Sequence, residues 1–282
     1  MSEVELSAGV LEYDDTRGDL PVVVLLNGLF IGRSVWRSVV ADLRSDHRCL
    51  PLELPLGAHR RAMRDGADLS GRGLAGLVAE FLDHLDLWDV TLVGCDWGGA
   101  QLLVKYGMDE RVGRLVLLPQ ESFDNFPPGL PAKMAWLSSK VPGALAVALQ
   151  QMRIRPIRRL PLNFGLMSKR PVPNTVMDAW LQSAMGSSRI RRDVLTYLRA
   201  TRKGEYVEAA EKLRGFDRPA LVIWATEDRL MKPGYGKRLA QCLPDGRLVE
   251  VADSYTLIPE DQPERCAQLI RTFIEETATT GR

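Results

Sequence analysis

The stretch Val90-Thr91-Leu92-Val93-Gly94-Cys95-Asp96-Trp97-Gly98-Gly99-Ala100-Gln101-Leu102-Leu103-Val104 decides the fold. Its first four residues are an apolar run that reads as a buried strand, and its last five read as the opening of a helix. Between them, Gly94 and Gly98 flank Asp96 with the small-x-nucleophile-x-small spacing of a nucleophile elbow. Such a sharp strand-to-helix turn forces its central residue into strained backbone, and a Cβ at a flanking position collides with neighbours. The central residue is aspartate, not serine. A carboxylate presented in this way attacks strained or activated carbon.

Working outward, strands and helices alternate. Two short runs between Val4 and Tyr13, separated by Ala8-Gly9, suit a hairpin, and Pro21-Val22-Val23-Val24-Leu25-Leu26 suits a central parallel strand. The loop Asn27-Gly28-Leu29-Phe30 follows. Next come a helix from about Ser34 to Leu43, a strand near Cys49 to Leu52 and an amphipathic helix from about Gly73 to Leu87. Beyond the elbow, Leu115 to Leu118, Ala220 to Trp224 and Arg247 to Val251 read as further strands. The pattern predicts an α/β fold with a doubly wound, mostly parallel sheet. Residues 120–215 break the alternation, being rich in proline and then helical, and read as an inserted helical cap. The expected organisation is a core formed by 1–119 and 216–282, with the cap at 120–215.

The cap carries 16 Lys/Arg against 7 Asp/Glu, a net +9, which leaves −8 for the rest of a chain whose net charge is +1. This asymmetry suits the charged outer faces of exposed helices, an anionic or aromatic small-molecule substrate, or an acidic carrier protein. Arginine greatly outnumbers lysine, and guanidinium stacks on π-faces and pairs with carboxylates. The balanced overall charge speaks against a nucleic-acid or membrane partner and for a small-molecule substrate. Cys49, Cys95, Cys242 and Cys266 are scattered without metal-ligand spacing, and His47, His59 and His84 stand apart from them. With no G-x-G-x-x-G and no P-loop either, no metal or nucleotide cofactor is expected. The first residues, Met1-Ser2-Glu3-Val4-Glu5-Leu6, are acidic where a signal peptide is basic, so a cytoplasmic protein with reduced thiols is expected.

Gly94-Cys95-Asp96-Trp97-Gly98-Gly99 and the tail Leu257-Ile258-Pro259-Glu260-Asp261-Gln262-Pro263-Glu264 resemble the aspartate-using branch of the α/β-hydrolase superfamily, the epoxide hydrolases and haloalkane dehalogenases. The resemblance runs over almost the whole chain. It implies Asp96 as nucleophile, Asp228 at the acid position, an oxyanion loop beginning Asn27-Gly28 with Leu29 and Phe30 beside the substrate, and Trp97 at a halide-holding position. It also implies a histidine where the chain carries Thr256, preceded by Tyr255. No histidine occurs after His84. Where dehalogenases often add an Asn donor, Leu29 stands instead.

An ester formed on Asp96 therefore lacks the imidazole that activates water, a loss of typically ~10²–10⁴-fold in rate. Backbone N–H groups at Leu29 and Trp97 are expected to stabilise negative charge. His59, on a loop at the carboxyl end of the sheet, and Glu121, just past a strand, are the candidate surrogate bases. Tyr255, Tyr197 and Tyr206 are candidate proton donors. Asp228 without an imidazole must find Arg229, Tyr255 or Thr256, or titrate upward. The elbow spacing aims Asp96 rather than Cys95 into the site. The expected function is an atypical enzyme that uses Asp96 as nucleophile or acid/base on an epoxide-like or polycyclic biosynthetic intermediate without hydrolytic turnover, by ring opening, cyclisation or carbon–carbon bond formation. A hydrolase with His59 or Glu121 as base, or a non-catalytic ligand-binding protein, are the alternatives.

Overall fold

The computed structural model describes residues 1–97, 99–202 and 204–280. Its strands join one eight-stranded sheet in the order β1-β2-β4-β3-β5-β6-β7-β8. β1 (Ser2–Leu6) and β2 (Gly9–Tyr13) make the expected hairpin, and β2 also runs antiparallel to β4 (Arg48–Glu53). All remaining pairings are parallel, through β3 (Val22–Leu26), β5 (Val90–Asp96), β6 (Val112–Gln120), β7 (Ala220–Ala225) and β8 (Gly246–Val251). β3 and β5 are continuous apolar runs because helices cover both faces of a parallel sheet.

α2 (Gly71–His84) shows how sequence becomes element. Ser70 Oγ accepts the Gly73 N–H at 3.2 Å, capping the first turn. Leu74, Leu77, Val78, Phe81 and Leu82 then bury one face at helical spacing. The helix stops at His84, three residues before the expected Leu87, and Asp86 takes a left-handed φ of 47° just beyond it. The helix expected from Ser34 starts as a tight 3-10 turn over Arg33–Trp36 and becomes α1 only at Arg37–Leu43. α3 (Gly99–Lys105) follows β5, and α10 (Pro233–Cys242), α11 (Ile258–Asp261) and α12 (Pro263–Thr280) complete the core.

Among the described residues six α-helices lie between β6 and β7: α4 (Gly129–Ser138), α5 (Ala144–Gln151), α6 (Arg155–Arg158), α7 (Asn174–Gly186), α8 (Ser188–Ala200) and α9 (Glu205–Lys212). They form the cap region. α8 ties them to the sheet side: Ile190, Val194, Tyr197 and Leu198 form its buried face, and buried Asp193 faces the loop after β4. Its carboxylate accepts the Met63 N–H at 2.8 Å and the His59 Nε2–H at 3.3 Å, and pairs with Arg192. Burial pushes the Asp193 carboxyl upward, but these bonds outweigh it and hold the group below its ordinary value. Its contribution is thus present above the ordinary aspartate range and lost as pH falls below it.

Asp193→Ala leaves the Met63 N–H and the His59 ring N–H unpaired. It is expected to destabilise the protein by about 1–3 kcal/mol, read as a shifted urea midpoint.

Candidate active site

β5 ends in the turn that the sequence foretells. Asp96 has a φ of 65°, and the Trp97 N–H closes the turn onto the Cys95 carbonyl at 2.8 Å. That N–H is therefore not aimed at the Asp96 carboxylate, as the sequence led us to expect. Gly98 lies outside the described residues. The register between β5 and β6 shifts beside Asp96, and the Glu121 N–H donates to the Asp96 carbonyl at 3.0 Å, which sets Glu121 next to the elbow.

On the other side, the Leu29 N–H donates to Asp96 Oδ2 at 3.1 Å. Gly28 makes this approach possible, since a Cβ there would sit 2.1 Å from the same oxygen. Asn27 holds the loop in place. Its Nδ2 donates to the Ile31 carbonyl at 2.6 Å and to Glu53 Oε1 at 2.9 Å, while its Oδ1 accepts the Leu54 N–H at 3.0 Å. With its amide fully engaged and buried, Asn27 is a loop anchor and not the substrate contact expected from sequence.

Three carboxyl groups near the elbow are displaced from their ordinary range. Burial pushes Asp96 up to about 7, against the opposing Leu29 N–H bond. Burial likewise pushes Glu121 up to about 8, with the charge of Asp96 adding to it and the Tyr206 hydroxyl opposing it. Glu121 Oε2 accepts the hydroxyls of Tyr206 and, at 3.4 Å, Tyr197, and the Gln101 amide donates to its carbonyl. Among the described residues no hydrogen bond is made to Oε1, and the side chain reaches the cavity wall. Asp228 is pushed up to about 7 by burial. Its Oδ1 accepts the Leu230 and Met231 N–H groups, both at 2.8 Å, and the Thr256 hydroxyl at 3.1 Å. Its Oδ2 is buried without a partner among the described residues. Of the partners foreseen for Asp228, Thr256 is the one it finds, while Arg229 lies over the Tyr255 ring instead.

Asp96 and Glu121 open onto a cavity of about 750 Å³. Leu29, Phe30, Leu230 and Met231 line it with the two carboxyls, and mostly apolar side chains of α4, α5 and the segment 162–167 form much of the remaining wall. No lysine, arginine or histidine lines it among the described residues. A doubly wound sheet with an elbow at the end of its central β5, a donor loop after β3 and a helical insertion after β6 is a combination that a family model described as the alpha/beta hydrolase fold also matches, over residues 21–263. The chain belongs to that family. It is 26% identical over 260 residues to the uncharacterized hydrolase YugF of Bacillus subtilis, covering 90% of this chain and 89% of that one. It is 27% identical over 283 residues to haloalkane dehalogenase 2 of Mycobacterium tuberculosis, covering 94% and 91%. The crystal structure of a putative ancestral haloalkane dehalogenase superposes with a TM-score of 0.79 at 20% identity, over 99% of this chain and all of that one.

Within this α/β-hydrolase, several residues picked from sequence sit away from the cavity. His59 is buried, with Nδ1 accepting the Gly57 N–H at 3.2 Å and Nε2 turned to Asp193, so it braces the cap and does not face Asp96. Tyr255 is off the cavity wall, its N–H donating to Asp261 Oδ2 at 2.9 Å. Tyr197 stands behind Glu121 and not on the wall. Thr256 is fully buried, and Cys95 Sγ lies 3.7 Å from its carbonyl oxygen with the thiol pushed far up by burial. The Trp97 ring is buried off the wall, and its Nε1 has no partner among the described residues. Among the described residues the cap's lysines and arginines do not line the cavity. Sequence reasoning missed the wall residues of α4 and α5. Their signal was Gly129 to Gln151, apolar without a polar face of helical period.

Gly28→Ala places a methyl group on the Asp96 carboxylate. The substitution is expected to break the Leu29 N–H contact while the fold persists, seen as a rotated Asp96 side chain in a crystal structure. In infrared titration, a protonated carboxyl band should persist to about pH 7 and be reduced by Asp96→Asn and Glu121→Gln. Tyr206→Phe removes a bond that favours ionised Glu121, so it should move the Glu121 component further up.

Proposed function

We propose that this α/β-hydrolase acts on an apolar small molecule carrying an epoxide-like electrophilic carbon, and that its product forms without imidazole-driven hydrolysis. The observation that carries this reading is two carboxyl groups, Asp96 and Glu121, on one apolar cavity wall with no imidazole beside them among the described residues. Burial raises both carboxyls, and the elbow position with the Leu29 N–H on one oxygen gives Asp96 the nucleophile's role and leaves Glu121 that of proton donor. Asp96, at about 7, is the group that ionises first, and Glu121, at about 8, is the one that keeps its proton.

The Asp96 carboxylate attacks the ring carbon, the carbon–oxygen bond of the epoxide breaks, and the Glu121 proton passes to the departing oxygen. Asp96 then carries a hydroxyalkyl ester, and the Leu29 N–H stays on the carboxyl oxygen that does not attack. Thr256, whose hydroxyl is committed to Asp228, has no basicity with which to activate water at neutral pH. A nucleophile within the substrate instead displaces the Asp96 carboxylate from the same carbon and gives its proton to Glu121, which closes a ring and restores both groups. The second reading is hydrolysis, favoured by the position of Glu121: once it has lost its proton, the same carboxylate lies beside the ester and can act as base on water.

Intact-protein mass spectrometry with an aryl-alkyl epoxide lacking an internal nucleophile tests this. The expected result is a lasting adduct on Asp96, absent in Asp96→Asn. Steady turnover, with oxygen from ¹⁸O-water in a diol product and no lasting adduct, establishes the second reading. Neither adduct nor turnover, with binding unchanged in Asp96→Ala, leaves only a ligand-binding protein. Labelling rate should follow a narrow bell, rising through pH about 7 as Asp96 ionises and falling above about 8 as Glu121 loses its proton. Glu121→Gln should slow labelling by ~10²–10⁴-fold and abolish the alkaline limb.

A further inference from the structure

α4 is apolar apart from Lys133 and Ser138, yet none of its residues is buried. A helix of that composition normally lies inside a protein or a membrane. Leu130, Met134 and Leu137 stand out from it, and Val141 and Val147 continue the exposed apolar surface. Ile154, Leu160 and Leu162 extend it further, and all eight side chains are between 47% and 62% exposed. Eight of the twelve exposed large apolar side chains among the described residues thus fall within 130–162, a concentration and not the usual scatter. Met134, Leu137, Val141, Val147 and Leu162 also line the cavity, so this surface is its rim.

The charge of the same segment has one sign. Between Asp124 and Asp178 there is no acidic residue, while eight Lys/Arg occur. Arg155 and Arg158 share Asp178, and Lys169 and Arg170 share Asp253, with Lys169 also pairing with Glu227. Lys133, Lys140, Arg153 and Arg159 are exposed, and among the described residues none of the four forms an ion pair.

We infer that the outer surface of α4 to α6 docks on an anionic phospholipid bilayer and that the cavity draws its apolar ligand from the bilayer through that rim. Aliphatic side chains enter the boundary between headgroups and acyl chains, and unpaired cations meet the anionic headgroups. Protein partners instead select aromatic side chains at the centre of an interface and disfavour lysine. No helix among the described residues is long and apolar enough to cross a membrane, so contact is interfacial. The inference is independent of the chemistry at Asp96.

Co-sedimentation of the full chain with vesicles tests it. Partition into phosphatidylcholine with about 30% phosphatidylglycerol should exceed partition into pure phosphatidylcholine at least ~10-fold and weaken as salt rises, each basic residue being worth roughly fivefold. The triple variant Leu130→Asp/Ile154→Asp/Leu160→Asp changes exposed residues that do not line the cavity. It should lower partition at least ~10-fold, as should Lys133→Glu/Lys140→Glu. Val207→Asp, on α9, should not. Asp96→Asn should bind vesicles as wild type does, so failure of the proposed chemistry leaves this readout standing. Circular dichroism and thermal unfolding confirm that each variant is folded. No preference for anionic vesicles, or binding indifferent to both sets of variants, overturns the inference. So does a solution dimer dissolved by the triple variant, or capture of an acidic protein by a chain that ignores vesicles.

Discussion

The turn at Asp96 is the constraint around which this protein is arranged. A non-glycine residue held at a φ of 65° stores strain of order 1–3 kcal/mol and persists only where its surroundings leave no alternative. Here those surroundings are the middle of a parallel sheet. β3 and β6 flank β5 on either side, and each delivers a group to the elbow from its carboxyl end: the Leu29 N–H from the loop after β3, and Glu121 from the end of β6. The sheet thereby fixes a donor and a second carboxyl on opposite sides of one carboxylate. Neither depends on the cap for its backbone position.

The sheet was legible in the sequence because buried parallel strands are near-continuous apolar runs, and Val22 to Leu26 and Val90 to Val93 have no other reading once glycine and helix signals bound them. The elbow was legible because its turn admits few residue types. What could not be read was orientation. His59 and Glu121 both follow strands at the carboxyl end of the sheet, yet one turns to Asp193 and the other to the cavity. The difference is made by α8, far away in the chain, which carries the partner for His59 in Asp193 and backs Glu121 with Tyr197. Asn27 illustrates the same limit. Its place at the head of the donor loop is evident from sequence, but its bonds to Ile31, Glu53 and Leu54 are long-range facts of the fold.

The region around Thr256, where the sequence resemblance implies a histidine, is built onto Asp228. Thr256 hydrogen-bonds the Asp228 oxygen that also takes two backbone N–H groups, while the other oxygen stays buried without a partner among the described residues. Burial then works against charge on Asp228, so the site has neither an imidazole nor an acid strongly held in its ionised form. Low polarity acts on Asp96 and Glu121 in the same direction. In an ordinary hydrolytic site an ionised acid stabilises an imidazolium; here the neutral form of each carboxyl is favoured. Such a site suits one proton moved between two carboxyls better than a charged relay.

The cap explains why composition misleads for this chain. Averaged over all residues the charge nearly vanishes, which argues against a membrane partner. Averaged over the cap it is strongly positive, which suggested attraction of an anionic substrate. At the scale of side chains neither average describes the surface that matters. Among the described residues the cavity wall has two carboxyls and no cation, Lys133, Lys140, Arg153 and Arg159 are exposed, and the side chains between are aliphatic on the rim and mostly apolar within. A ligand crossing that rim arrives beside two carboxyls whose raised pKa values depend on staying dry. Exclusion of water by the ligand would strengthen the condition that sets the Asp96 and Glu121 pair, so the apolar path and the protonation of the site belong to one physical arrangement.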